Sequence, residues 1–247
     1  MNNLLNETIV DVSQIRAYLY LALFIPLTFL FAASALVGTL LDSSGRVYAA
    51  HARLWARLAL AMAGVRVTVS GSEHLPAGPV IFMSNHQSNF DILALLAAMP
   101  RRIHWIAKKE LFDIPVFGPS MRRGGYIPLD RSDGRKALKS VDEAAGIIRE
   151  GKSVVMFPEG TRSLSRELLP FKRGGFILAR KAGVPVVPIT INGSGRINPA
   201  AKIRLFSGNI AIVLHPPLAV PPDISKSEAE TWLMEQTLST IVSALER

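Results

Sequence analysis

Hydrophobic and polar positions fall into three regimes along the chain. From Ala17 to Leu41 (AYLYLALFIPLTFLFAASALVGTLL) no residue is charged, and Arg16 and Asp42 bound the run. The next stretch, RVYAAHARLWARLALAMAGV, sets Arg46, Arg53 and Arg57 beside an apolar face of Leu54, Leu58 and Met62, the spacing of a helix with one basic side. From Val65 onward, short β-rich runs alternate with helical patterns. VRVTVSG (65–71) has period two, whereas VIFMSN (80–85), IHWIAK (103–108), SVVMFP (153–158) and VVPITI (186–191) are continuous apolar runs of buried strands. FDILALLAAM (90–99), RKALKSVDEAAGIIRE (135–150) and KRGGFILARKAG (172–183) predict helices. In the second, Ala137, Leu138, Val141, Ala144, Ala145 and Ile148 fall at helical spacing. KIRLF and NIAIVLH predict a late pair of strands, followed by a helix from Ser225 to Leu245.

This βαβα order predicts an α/β domain over 65–247, its mainly parallel or mixed sheet flanked by helices. Residues 1–64 precede it as membrane-anchoring helices. The uncharged run has 25 residues, and about 20 suffice to cross a bilayer core as a helix. Pro26 deletes a helical hydrogen bond, so both a spanning helix and a re-entrant hairpin fit the run. The segment from Arg46 fits a helix at headgroup level and a core helix with an exposed basic side equally well. Its arginines predict that the following domain lies on the cytoplasmic face.

The 247 residues suffice for a substantial core, and the absence of cysteine excludes disulfides, thiolate metal sites and cysteine nucleophiles. A formal charge of +9 predicts an anionic partner, nucleic acid or phosphate-bearing lipid. No nucleic-acid motif or interleaved basic and aromatic platform supports the first. No metal-ligand cluster has suitable spacing, so no metal or other cofactor is expected.

GIIREGKS (146–153) fits the written pattern of a phosphate-binding loop, but there a strand must enter and a helix leave. Here a helix enters, a strand leaves, and Gly151 reads as the helix end. No G-x-S-x-G elbow occurs, which argues against a conventional lipase or esterase.

The polar stretch NHQSNFD (85–91) follows a buried strand directly. With Ser88 or Asn89 capping the next helix, His86 lies in the loop at a strand's carboxyl end, where open α/β sheets bind ligands. Asp91 falls in the first helical turn, favoured there as a carboxylate. A loop folded over that turn brings imidazole to carboxylate and leaves the other ring nitrogen free to accept a proton. A histidine after a strand also serves purely structural ends. FPEGTRS (157–163) again follows a buried strand, reading either as a turn with Glu159 paired to Arg162 or as an anion site of Glu159, Gly160, Thr161 and Arg162. Lys108, Lys109 and Arg131 stand near other strand ends.

In order, NHQSNFD, KKELFDIPVFGPSMRRGGYIPLDR, FPEGTRS and VPVVPITING resemble the four blocks of the glycerolipid acyltransferase family, specifically the 1-acyl-sn-glycerol-3-phosphate acyltransferases, over about residues 75 to 195. The resemblance implies a glycerol-3-phosphate acyltransferase-like fold. It also implies acyl transfer from acyl-CoA or acyl carrier protein, as co-substrate, to lysophosphatidic acid in a membrane. His86 would be the general base and Asp91 its orienting partner. Lys108, Arg131, Glu159, Gly160, Thr161 and Arg162 would line the acceptor site, and Val184 to Pro188 would shape the donor site. The consecutive Arg122 and Arg123 and the Gly124-Gly125 pair depart from the second block and bear on acyl or acceptor preference. Three rival readings stay in view: a Ser88 acyl-enzyme, an acyltransferase acting on a different lysolipid acceptor, and a non-catalytic basic protein on anionic membrane.

Overall fold

The structure is a computed structural model and describes residues 11–42, 44–130, 132–163, 167–199 and 203–246. The uncharged run forms one helix, α1 (Val12–Leu41), capped by the Asp11 carboxylate accepting the Ser13 amide. Pro26 stands inside it. Near this break in the ladder the Thr28 hydroxyl donates to the Phe24 carbonyl at 2.7 Å and accepts the Trp55 indole N–H at 3.1 Å. Trp55 belongs to α2 (Arg46–Met62), which returns alongside α1. Gly38 lets the two close together, since a Cβ there would stand 2.6 Å from the Val47 side chain. Arginines staple the helical hairpin to itself and to the α/β domain: Arg16 donates to the Ala63 carbonyl, Arg53 to that of Met99, and Arg102 to that of Ser44.

The strands are β1 (Val65–Ser70), β2 (Ile81–Ser84), β3 (His104–Lys108), β4 (Ile127–Leu129), β5 (Val154–Met156), β6 (Val186–Asn192) and β7 (Gly208–Leu214). Among the described residues they form one sheet in the order β1-β7-β6-β2-β5-β3-β4, with every pair parallel except β6 and β7. Between and after them run α3 (Phe90–Ala98), α4 (Phe117–Arg123), α5 (Gly134–Arg149), α6 (Gly174–Ala182), α7 (Ser194–Ile197) and α8 (Lys226–Ser243).

The central strands are buried on both faces, which is why their runs are apolar without alternation. Phe82, Val155 and Ile189 join a cluster with Ala17, Tyr20, Ala59 and Leu93, so α1, α2 and α3 share one core with that face of the sheet. Ile81, Met83 and Val154 join Ala145, Phe176 and Leu233 of α5, α6 and α8 on the other. α5 ends before Gly151, whose φ of 101° ordinary residues resist, and β5 then begins; the helix-then-strand order is the reverse of a phosphate loop.

One predicted strand is absent. Ile203–Phe206 of KIRLF lie outside any strand, and Lys202 lies outside the described residues. Leu205 gives its amide to the Ser13 carbonyl and Phe206 gives its own to Ile197. Those amides are spent on α1 and α7, so β7 pairs with β6 and β1 instead. The pattern also gave no sign of α4, whose entry rests on tertiary fit. Val116 takes φ 65° with the Phe117 amide bonded to the Pro115 carbonyl at 2.7 Å, a strained three-residue turn. At Gly118 a Cβ would stand 2.1 Å from the Phe112 carbonyl oxygen.

Candidate active site

The loops leaving β2, β3 and β5 meet at one end of the sheet, because parallel neighbours carry their carboxyl ends to the same edge. Asn85 extends the β2–β6 ladder with its side chain, accepting the Ile191 amide and donating to the Ile191 carbonyl, each at 2.8 Å. The next residue is therefore held at a fixed height above the sheet.

His86 is constrained from several directions. Its Nδ1 lies 2.9 Å from Asp91 Oδ2, and the same oxygen accepts the Gln87 and Ser88 amides at 2.8 Å each. With two backbone N–H groups already donating to that oxygen, it serves as an acceptor, so the contact is made by an Nδ1–H donor and Nε2 is left as the accepting nitrogen of the ring. The FPEGTRS loop grips the His86 peptide on both sides. Glu159 Oε1 accepts its amide at 2.7 Å, and the Ser163 amide donates to its carbonyl at 2.9 Å. The Phe157 ring lies face to face with the imidazole, centroids 3.8 Å apart and planes 6° off parallel.

Glu159 is 1% exposed, and its second oxygen accepts the Leu169 amide at 2.8 Å. Both oxygens thus brace backbone, neither faces the cavity, and burial pushes the carboxyl above its ordinary pKa. Ser88 is fully buried; its hydroxyl donates to the Asn198 carbonyl and accepts the Phe90 amide, both at 3.3 Å. Because Ser88 is buried and its hydroxyl is turned to the Asn198 carbonyl rather than to the imidazole, the described contacts give no support to a Ser88 acyl-enzyme.

A cavity of about 400 Å³ opens at His86, within the range of small-molecule sites. Its mouth carries Lys108, Gly160, Thr161 and Arg162. It is lined further by Trp105 and Ile106 of β3, by Phe31, Ala32 and Ala35 of α1, by Tyr48, Ala52 and Trp55 of α2, by Leu96 of α3, and by Ser120 and Tyr126. Of the residues predicted for the site, the structure thus gathers His86, Asp91, Lys108, Gly160, Thr161 and Arg162. Arg131 lies outside the described residues. Lys109 is paired with Asp130 at 3.2 Å. Among the described residues no group of three His, Asp or Glu side chains could hold a metal ion.

Sequence reasoning overlooked Phe157, Asn85 as an anchor, and the small residues that hollow the cavity. Ala32 and Ala35 stand three apart within α1, a spacing that puts both on one face, but an all-apolar helix gives no contrast to reveal it.

A family model described as Acyltransferase matches residues 66–192. The chain is 38% identical over 170 residues to the chloroplastic 1-acyl-sn-glycerol-3-phosphate acyltransferase BAT2 of Brassica napus, covering 68% of this chain and 49% of that protein. It is 33% identical over 192 residues to the 1-acyl-sn-glycerol-3-phosphate acyltransferase of Pseudomonas aeruginosa, covering 73% and 74%. The chain spans about half the length of the chloroplast relatives it matches. In fold it is similar to the crystal structure of the 1-acyl-sn-glycerophosphate (LPA) acyltransferase PlsC from Thermotoga maritima, with a TM-score of 0.76 and 24% identity over 95% of this chain and 99% of that one.

Proposed function

Since the chain belongs to the acyltransferase family, we propose that it moves a fatty acyl group from an acyl thioester to the sn-2 hydroxyl of 1-acyl-sn-glycerol 3-phosphate, giving phosphatidic acid. The 2.9 Å contact of His86 with Asp91, at the mouth of an apolar cavity flanked by Lys108 and Arg162, carries this reading.

Nε2 of His86 takes the proton of the acceptor hydroxyl as that oxygen bonds to the thioester carbonyl carbon. The C–S bond then breaks, and the imidazolium returns its proton to the departing thiolate. Ester and free thiol result, with no further reactant consumed. A thioester is already activated, so holding hydroxyl, base and carbonyl in line supplies much of the rate. An acyl chain lies in the cavity, while Lys108 and Arg162, with Arg131 of the second block, hold the acceptor's phosphate. Acyl-CoA and acyl carrier protein both present the thioester on a pantetheine arm, and either serves as donor.

The outward face of α1, with Leu19, Leu23, Ile25, Phe29, Leu30 and Leu40 exposed, lies in lipid. The helix is long and apolar enough to cross a membrane. Its inward face is cavity wall, so the acyl chain lies one helix away from the bilayer that supplies lysolipid. The basic residues that follow α1 keep the catalytic domain on the cytoplasmic face.

A membrane preparation given lysophosphatidate and a fatty acyl thioester, of CoA or of carrier protein, is expected to form phosphatidate. His86→Ala stops turnover without lowering the melting temperature. Full activity in that variant overturns the base assignment. Faster acylation of another lysolipid replaces the acceptor, and membrane binding with no thioester consumed leaves a basic lipid-docking protein.

A further inference from the structure

Asp91 holds one edge of the His86 ring, and the loop after β5 holds its peptide, yet neither contact fixes the plane of the imidazole. The second side-chain torsion of histidine has a broad, shallow well, so one in-plane hydrogen bond leaves the ring free to rock about it. Rocking swings Nε2 away from an incoming hydroxyl.

Phe157 supplies the missing restraint. Its ring covers the imidazole face at 3.8 Å, tighter than the usual spacing of aromatic pairs. Trp105, buried in β3, backs it from 5.6 Å. The Phe157 backbone is fixed too, since it follows β5 directly and its carbonyl accepts the Gly160 amide at 3.0 Å. Gly160 manages that turn with φ 74°.

We infer that Phe157 is a positioning residue for the base: its flat face sets the imidazole plane, with Asp91 setting the in-plane direction, so that Nε2 points along one line into the cavity. The inference rests on His86 being the base. It separates two roles for Phe157, which also touches the cavity. A residue that merely met the acyl chain could be any apolar side chain of similar bulk, and its loss would appear in KM for the thioester. A residue that sets a plane must be flat, and its loss appears in kcat.

The test compares Phe157→Leu, Phe157→Tyr and His86→Ala in the full chain in detergent or vesicles. Phe157→Leu is expected to lower kcat about 10- to 100-fold, as displacement of a catalytic group does, with KM for the thioester within about 3-fold. Phe157→Tyr, which keeps the flat face, recovers most of that loss. In histidine-labelled protein the carbon-bound ring protons of His86, identified by their absence from His86→Ala, resonate upfield under the phenyl ring and return downfield in Phe157→Leu. Unchanged kcat in Phe157→Leu, a loss confined to KM, a tyrosine variant no better than leucine, or unshifted His86 signals in the unaltered protein each overturn the inference. If the leucine variant does not fold, the signals of the unaltered protein and the rate of Phe157→Tyr still decide. Inactive His86→Ala beside a fully active Phe157→Leu removes the positioning role alone, whereas fully active His86→Ala removes the base and this inference together.

Discussion

Oδ2 of Asp91 gathers three donors, the imidazole Nδ1 of His86 at 2.9 Å and two backbone amides at 2.8 Å. The amides pin the carboxylate to its own loop, so the residue that orients His86 is oriented by the chain on either side of it. Five positions of separation would defeat this pair within a helix, where neighbours lie three or four apart; a loop folded over the first turn of α3 makes it.

Asp91→Asn keeps that shape and removes the charge. The amide oxygen still accepts, but on the proposed mechanism the imidazolium formed in mid-transfer would lose its counterion. Turnover is expected to fall by ~10²–10⁴-fold with KM for both substrates nearly unchanged, the mark of an interaction made in the transition state. Steady-state kinetics with an unchanged melting curve check it. A rise in KM alone would mean that Asp91 touches substrate instead.

Glu159→Gln separates a brace from a ligand. An amide offers one acceptor where the carboxylate offers two, so either the His86 or the Leu169 amide is left facing an NH₂ group. An unpaired buried donor costs about 1–3 kcal/mol, so the melting temperature should drop and kcat should fall with it as the His86 peptide loosens. Were Glu159 in contact with the acceptor, KM for lysophosphatidate would rise and stability would hold.

Legibility in the sequence tracks burial. β2, β5 and β6 lie mid-sheet under helices on both faces, so their apolar runs can be read without context. β4 is three residues at the sheet edge with Pro128 inside, too short to show a period. KIRLF has the composition of a strand, yet its Leu205 amide is taken by Ser13, almost two hundred positions earlier. Within the site the same division holds. His86 and Asp91 are near in sequence and fixed by a local turn, hence legible. The stacking of Phe157 on His86 and the grip of Glu159 on its peptide exist only because β2 and β5 are neighbours in the sheet, which no periodicity encodes.

Ala35→Phe tests where the acyl chain lies. Thr28 meets Trp55 and Gly38 meets Val47, so Ala35, between them on α1, faces α2 near Tyr48, and both residues line the cavity. A phenyl group there fills space that an acyl chain would occupy and changes no residue of the His86–Asp91 pair. Long-chain thioesters should lose kcat/KM by about 10-fold or more relative to short ones, since crowding a packed site costs about 1–3 kcal/mol. A uniform loss across chain lengths would take the chain elsewhere.

His104 should make the fold sensitive to mild acid. It is 4% exposed, its Nδ1 bonds the Ser153 carbonyl at 3.1 Å, and Nε2 has no partner among the described residues. Burial is the main cause, with Arg102 and Lys152 adding repulsion, that lowers its pKa from 6.5 to about 4. The unfolded chain therefore binds a proton at this site between those values while the folded one does not, so stability falls as pH drops through that window and levels off below it. The full effect is on the order of 3 kcal/mol, at ~1.4 kcal/mol per pH unit. Glu159 acts in the opposite sense, because its raised pKa makes the folded chain the better proton binder just above 4.5. His104→Asn keeps a donor for Ser153 but cannot titrate, so the melting temperature of the variant should decline less than that of the unaltered protein between pH 6.5 and 4. Parallel declines would mean that the acid sensitivity arises at other groups.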